Sequence, residues 1–287
     1  MAARITVPLR KLSDGTRLLR EGDYSARVDL RLKNEFAELQ NTFNDMAARI
    51  EREMSLRKKS EKDRRRLILD ISHDLKNPLS SIQGYTELCR KHPELTEGQK
   101  EEYLEVILQN SQRANLLLSD LFELSQMDSP EFSIKPIKTD LCEYLRQSCA
   151  EMVPQLEQAG FRYEFDISEE NMEAMLDINR FSRIFQNLVD NTIRYNVQGT
   201  LVSVSMKAEN SQALIYFADD GTGISEPLAE DVFKPFVRGD DSRNSKTGGS
   251  GLGLSIAKKI AQAHNGDLIL DPNPDKGCTF IITIPII

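Results

Sequence analysis

The chain has 287 residues, 39% hydrophobic and 29% charged, the balance of a folded protein. Its net charge of −8 argues against nucleic acid as the main partner. The four cysteines make no CxxC pair, which argues against a zinc site and for a reducing compartment. No apolar run reaches the roughly 18 residues a membrane span needs, and no signal peptide is visible.

The charge is uneven. Residues 1–66 hold 17 Lys/Arg against 11 Asp/Glu, so an acidic or membrane-surface partner would belong to that segment. Within it, Ile5, Leu9 and Leu12 recur at helical spacing. "EGDYSARVDLRLKN" follows, with Gly22 and alternating Val28, Leu30 and Leu32, which predicts an extended connector. Phe36, Leu39, Phe43, Met46 and Ile50 then repeat at 3,4,3,4 spacing, a heptad seam. One short helix pair buries little alone, so this segment is expected to oligomerise. The run "RKKSEKDRRR" (57–66) reads as a solvated stretch of continuous helix.

A second seam comprises Ile68, Ile71, Leu75, Pro78, Ile82, Tyr85 and Cys89, and "KHPELTEG" ends it. A third runs Tyr103, Ile107, Asn110, Ala114, Leu117, Leu121 and Leu124. Two long helices with a short loop predict an antiparallel hairpin. Leu67, Leu79, Val106 and Leu118 lie beyond the seams, so two hairpins are expected to pair into a four-helix bundle. After "SQMDSPEF" the period changes. Strands are predicted at 132–137, 162–167, 173–177, 201–208, 212–218, 267–271 and 278–285, with helices near 140–159, 179–195 and 251–264. That alternation predicts a layered α/β or α+β domain of about 150 residues.

Chemistry concentrates in a few stretches. In "ISHDLKNPL", His73 is two residues from both Ile71 and Leu75, roughly 160–200° round the helix, so it faces away from the seam. Alone it is as well explained as a solvated surface histidine. Asp74 could orient its ring and leave one nitrogen free to attack. Pro78 removes the amide that would bond the carbonyl of residue 74, so a bend is expected there. In "NLVDNTIRYN", Asn187 and Asn191 share a helix face and could offer amide oxygens to a hard cation. In "DDGTG", Asp219 is an anchoring acceptor, while Gly221 and Gly223 allow close backbone approach to a ligand. "GGSGLGLSIAKKI" opens a helix with bare amides suited to phosphate. It is no Walker loop, lacking a closing GK[ST]. Each pattern is weak singly; their order and separation carry the signal.

Together these motifs resemble the cytoplasmic part of a two-component sensor histidine kinase. "SHDLKNPL" resembles the family's phosphoacceptor box, "NLVDNTIRYN" its N box, "DDGTGI" and "GGSGLGL" its glycine boxes, and "VFKPFVR" its phenylalanine box. Residues 4–52 resemble a HAMP signal-relay module. The resemblance implies a helical coiled coil and four-helix-bundle dimer followed by a two-layer α/β (α+β) Bergerat ATP-binding sandwich. The implied domains are 1–53 (HAMP-like), 54–129 (dimerisation and histidine phosphotransfer) and 130–287 (catalytic, ATP-binding).

The resemblance assigns roles by position. His73 would take the phosphoryl group on Nε2, Asp74 would activate it, and Asn77 would position water in a reverse phosphatase reaction. Asn187 and Asn191 would bind Mg²⁺. Arg194, where the family often has Lys, would contact phosphates, and Tyr195 would cover the adenine. Asp219 would accept the adenine amino group, with Gly221 and Gly223 beside it. Gly249, Gly251, Leu252 and Gly253 would border the phosphates. Residues 224–247 would form the nucleotide lid, with Phe233 as lid core and Arg238 reaching the transferring phosphoryl group. Thr192 departs from the commoner Ala. The implied cofactors are ATP and Mg²⁺. The implied partners are a response regulator receiver domain and a second copy of the chain. A HAMP-like module ordinarily follows a transmembrane helix. The resemblance therefore implies the cytoplasmic face of a bacterial plasma membrane, reached through a transmembrane segment absent from this chain.

Overall fold

The computed structural model describes residues 3–30, 35–129, 131–237, 249–271 and 277–287. It divides into two compact units, residues 1–69 and 70–287.

In the first unit, α1 (Ala3–Arg20) and the start of α2 (Glu35–Lys91) flank the extended connector. Leu12, Val28, Leu30, Phe43 and Ala47 make its core, with Leu19 and Phe36 packed on them. Amide side chains zip the connector to α2. Asn44 accepts from the Val28 N–H and donates to the Val28 carbonyl, both at 2.9 Å, and Gln40 accepts from the Leu30 N–H at 2.5 Å. A Cβ on Gly15 would lie 2.7 Å from Val28, so glycine there permits the contact. The predicted seam is only half used. Phe43 is buried, but Leu39 and Met46 stay 47% exposed. A single helix pair has one internal interface, and these two residues fall outside it.

In the second unit, the rest of α2 lies against α3 (Glu97–Met127), where Tyr85 meets Tyr103 at 5.2 Å. As the seam through Pro78 predicts, α2 is one 57-residue helix with Pro78 inside it, and that residue is buried. Thr96 caps α3 in a reciprocal capping box with Gln99. Leu79, Leu104, Leu108 and Phe122 remain exposed on these helices.

The remainder is a two-layer sandwich. Its strands are β1 (Ile137–Asp140), β2 (Arg162–Asp166), β3 (Glu173–Leu176), β4 (Leu201–Glu209), β5 (Gln212–Asp219), β6 (Asp267–Asp271) and β7 (Cys278–Pro285). Its helices are α4 (Leu141–Ala159), α5 (Ile178–Tyr195), the one-turn α6 (Glu226–Ala229) and α7 (Gly253–Ala263). The main sheet has the order β2-β4-β5-β7-β6, and β1 pairs with β3 alone. Only the β2–β4 pair of the main sheet is parallel. Burial alternates along β5, β7 and the first six residues of β4, so one face, with Val204, Phe217 and Phe280 in register, meets the helices. On α5 the facing stripe is Phe181, Ile184, Phe185, Leu188, Val189 and Thr192. The strand predicted at 132–137 is displaced: residues 132–136 are irregular and pairing starts at Ile137. Partner strand β3 is four residues long and sets where the ladder begins, which local pattern does not reveal.

Candidate functional site

His73 is a surface residue, its side chain 75% exposed, on the face of α2 opposite the seam. Its Nδ1 lies 3.4 Å from Asp74 Oδ1, a long contact, while the Asp74 side chain is largely covered. Asn77 is exposed one turn on.

The other candidate residues converge from α5, β5 and the segment entering α7. The glycine run passes tightly against α5. A Cβ on Gly249 would sit 2.8 Å from Arg194 Nη1 and 3.2 Å from the Tyr195 hydroxyl. One on Gly253 would sit 2.9 Å from Asn187 Oδ1. Asparagines and glycines about 60 residues apart in sequence thus share one place. The Asn187 Nδ2 is buried without a hydrogen-bond partner among the described residues, as is the Thr192 hydroxyl. Buried polar atoms are seldom left so. Asn191 and Arg194 are half-buried, and Tyr195 is exposed. Leu252 is fully buried, so its side chain anchors the glycine loop to the core. The Phe236 N–H donates to the Gly251 carbonyl at 2.8 Å, tying the phenylalanine box to the loop. Phe233 is half-buried, edge-on to Phe280 and under the Lys258 ammonium. Arg238 lies outside the described residues, as does the segment 238–248.

Asp219 closes β5. It is paired in register with Cys278, and both are buried. The Cys278 thiol donates to Asp219 Oδ2 at 3.1 Å. Burial first, and the neighbouring carboxylate second, push that thiol's pKa far up, so it stays a protonated donor. Gly221 and Gly223 approach protein groups rather than open space. A Cβ on Gly221 would lie 1.9 Å from Asn196 Oδ1, and one on Gly223 2.9 Å from the Gly277 carbonyl.

Several participants carry no motif. Asn196 ends the quoted "NLVDNTIRYN", and Cys278 follows a glycine at a strand start, but nothing local assigns either a role. A further set joins α3 to the sandwich. Arg183 bonds Glu123 at 3.1 Å and Asp120 at 3.4 Å, and Lys259 pairs with Asp128. Asp120 is buried, and burial raises its carboxyl pKa against the opposing pull of Ser250 and Arg183. A separate cavity of about 330 Å³, lined by Thr139, Tyr144, Ser148, Ser182 and neighbours, contains none of the candidate residues.

Family models match along the chain. They are a HAMP domain over residues 1–52, a His Kinase A (phospho-acceptor) domain over 63–130, and the histidine kinase-, DNA gyrase B-, and HSP90-like ATPase over 176–287. Sensor protein GtcS of Aneurinibacillus migulanus is 32% identical over 256 residues, covering 89% of this chain and 69% of that protein. The chain belongs to the two-component sensor histidine kinases. It is, by family, a protein histidine kinase. The signal transduction histidine-protein kinase ArlS of Staphylococcus aureus is 30% identical over 98% of this chain and 60% of its own length, so the kinase described here spans about two thirds of such relatives. Among solved structures, histidine kinase AdeS of Acinetobacter baumannii aligns with a TM-score of 0.61 at 22% identity, over 75% of this chain and 98% of that one. Histidine kinase ThkA, solved in complex with response regulator protein TrrA, aligns with a TM-score of 0.61 at 24% identity, over 81% of this chain and 66% of that one. These likenesses bear out the fold: a helical region followed by an α/β ATPase sheet. Among the described residues, no helix is long and apolar enough to cross a membrane.

Proposed function

We propose that this kinase phosphorylates its own His73 from Mg-ATP and passes the group to an aspartate of a response regulator. The observation that carries the nucleotide site is the orphaned Asn187 amide set against the glycine loop. No cluster of three His, Cys, Asp or Glu among the described residues could hold a metal, so a cation here would rely on amide oxygens and the nucleotide's own phosphates. Asn187 and Asn191 suit such a cation, because they are adjacent on one face of α5 and a hard ion prefers their oxygens. Arg194, beside Gly249, places positive charge where phosphates would lie. Bound Mg²⁺ would offset charge on the phosphates.

The protein's own work is positioning and electrostatics. Asp74, facing Nδ1, would hold the proton on that nitrogen and leave the Nε2 lone pair outward. Nε2 attacks the terminal phosphorus, the bond to the leaving oxygen breaks, and phosphohistidine forms. Asn187 carries an amide where a hydrolytic ATPase needs a base for water, which favours transfer over hydrolysis. Asn77, exposed one turn from His73, is the group placed to orient water in a phosphatase reaction. Exposed Leu79, Leu104, Leu108 and Phe122 support pairing of two hairpins. The HAMP match supports a membrane-receptor setting for this kinase.

Incubation with Mg-ATP should give acid-labile phosphate on the chain, and His73→Gln should abolish it. Free phosphate without labelling would overturn the transfer reading.

A further inference from the structure

The Asp219 carboxylate is held by three donors from three parts of the chain. The Gly221 N–H and Asn196 Nδ2 donate to Oδ1 at 3.0 and 3.1 Å, and the Cys278 thiol donates to Oδ2 at 3.1 Å. Asn196 is the one among them that joins two motifs. Its own N–H ends α5 on the Thr192 carbonyl, and its Oδ1 accepts from the Thr222 N–H at 2.9 Å and the Thr222 hydroxyl at 3.3 Å. The amide can satisfy this surrounding one way only. Its NH₂ must face the carboxylate and its oxygen must face the donors of residue 222, because a flip would oppose like to like. The space for it is kept by Gly221, where any Cβ would collide with the amide. Thr192, one helical turn earlier on the same side of α5, carries the buried hydroxyl without a partner among the described residues. That stripe of α5 therefore presents polar atoms inward beside a fixed acceptor.

We propose that Asn196 is a positioning residue that sets base selectivity by locking the Asp219 carboxylate against the turn 220–222. The inference rests on the reading of Asp219 as the acceptor for the base. An acceptor fixed in one rotamer takes an exocyclic amino group and repels a carbonyl oxygen in the same place. It therefore selects adenine over guanine nucleotides. Without the Asn196 amide, Oδ1 loses one of its two donors and the turn loses its anchor. The carboxylate can then rotate, and a guanine carbonyl is no longer excluded. A merely structural Asn196, acting as the end of α5, would change stability but would weaken all nucleotides equally.

The test uses the full chain and measures dissociation constants for ATP and GTP by competition with a fluorescent nucleotide, in wild type, Asn196→Ala, Asn196→Asp and Asp219→Ala. Asn196→Ala should lower the ATP-over-GTP preference by roughly tenfold, the effect of one hydrogen bond to a charged group. Asn196→Asp keeps size and acceptors but sets a carboxylate against a carboxylate, and should lower it at least as far. Thermal melts of the free proteins establish that each variant is folded. An unchanged preference in a folded Asn196 variant, or equal weakening of both nucleotides, overturns the inference. If Asp219→Ala abolishes the preference while the Asn196 variants keep it, only the role of Asn196 fails. If Asp219→Ala keeps it, the reading of Asp219 fails and the inference with it.

Discussion

Gly253→Ala separates the proposed cation site from the stability of the fold. Gly253 opens α7, and its φ is outside the left-handed region, so the backbone accepts alanine. By helix propensity alone the change should stabilise, by about 0.5–1 kcal/mol. The new methyl would lie 2.9 Å from Asn187 Oδ1 and 3.3 Å from its Cγ, closer than side chains pack. Asn187 must give way. Its amide is the tip of a side chain with an unpartnered Nδ2, so moving it costs the fold little. Moving it costs the site much, because the oxygen leaves the place where it would face the cation. Displaced ligand support of this kind weakens binding about 10- to 100-fold, which is roughly 1.4–2.8 kcal/mol. The expected result is an unchanged or slightly raised melting temperature without nucleotide, together with Mg-ATP affinity reduced by that factor. Both are measurable on one preparation, by a thermal melt and a fluorescent-nucleotide titration. Unchanged affinity would falsify the role given to Asn187. A melting temperature lowered by many degrees would show that the asparagine is a packed strut and not a yielding ligand.

Two further outcomes follow from the buried ionisable groups. Arg183→Ala removes the cation beside Glu123 and the buried Asp120. With Arg183 itself about a third exposed (31%), the cost should be ~1–2 kcal/mol, above a surface pair and below a fully buried one. Faster amide exchange in the last turns of α3 would reveal it, whereas exchange identical to wild type would mean the pair is passive. His264 gives a pH dependence. Its Nε2 accepts from the Asp177 N–H at 3.0 Å and its Nδ1 donates to the Ile260 carbonyl at 2.8 Å, so the fold holds it neutral. Burial lowers its pKa, with Asp177 opposing and Arg180 assisting. The unfolded chain therefore binds the proton first, near pH ~6.5, and stability is full above that value and lost as pH falls through the lower folded value. His264→Gln should flatten the urea-midpoint curve between about pH 7.5 and 5.5, and parallel curves for wild type and variant would rule the histidine out.

The helices, the strand rhythm and the order of the motifs were legible in the sequence because each depends on neighbours a few residues away. Seams at 3,4 spacing predicted α2 and α3, alternation predicted β4, β5 and β7, and the phase of the seam placed His73 outward. Prediction failed where a partner decides. The edge pair β1–β3 begins where two short strands meet, so residues 132–136 had a strand's composition without a strand's ladder. Leu39 and Met46 keep the heptad period but are exposed on one chain, so what covers them is a matter of the expected oligomer and not of this fold. Among the candidate site residues, those in motifs could be named from the sequence. The meeting of Asn196 and Cys278 at Asp219 could not, since it depends on the register of β5 against β7 and on where α5 ends. Hydrogen bonds between residues 23 and 59 positions apart leave no periodic trace. Only packing of the sheet against α5 brings them together.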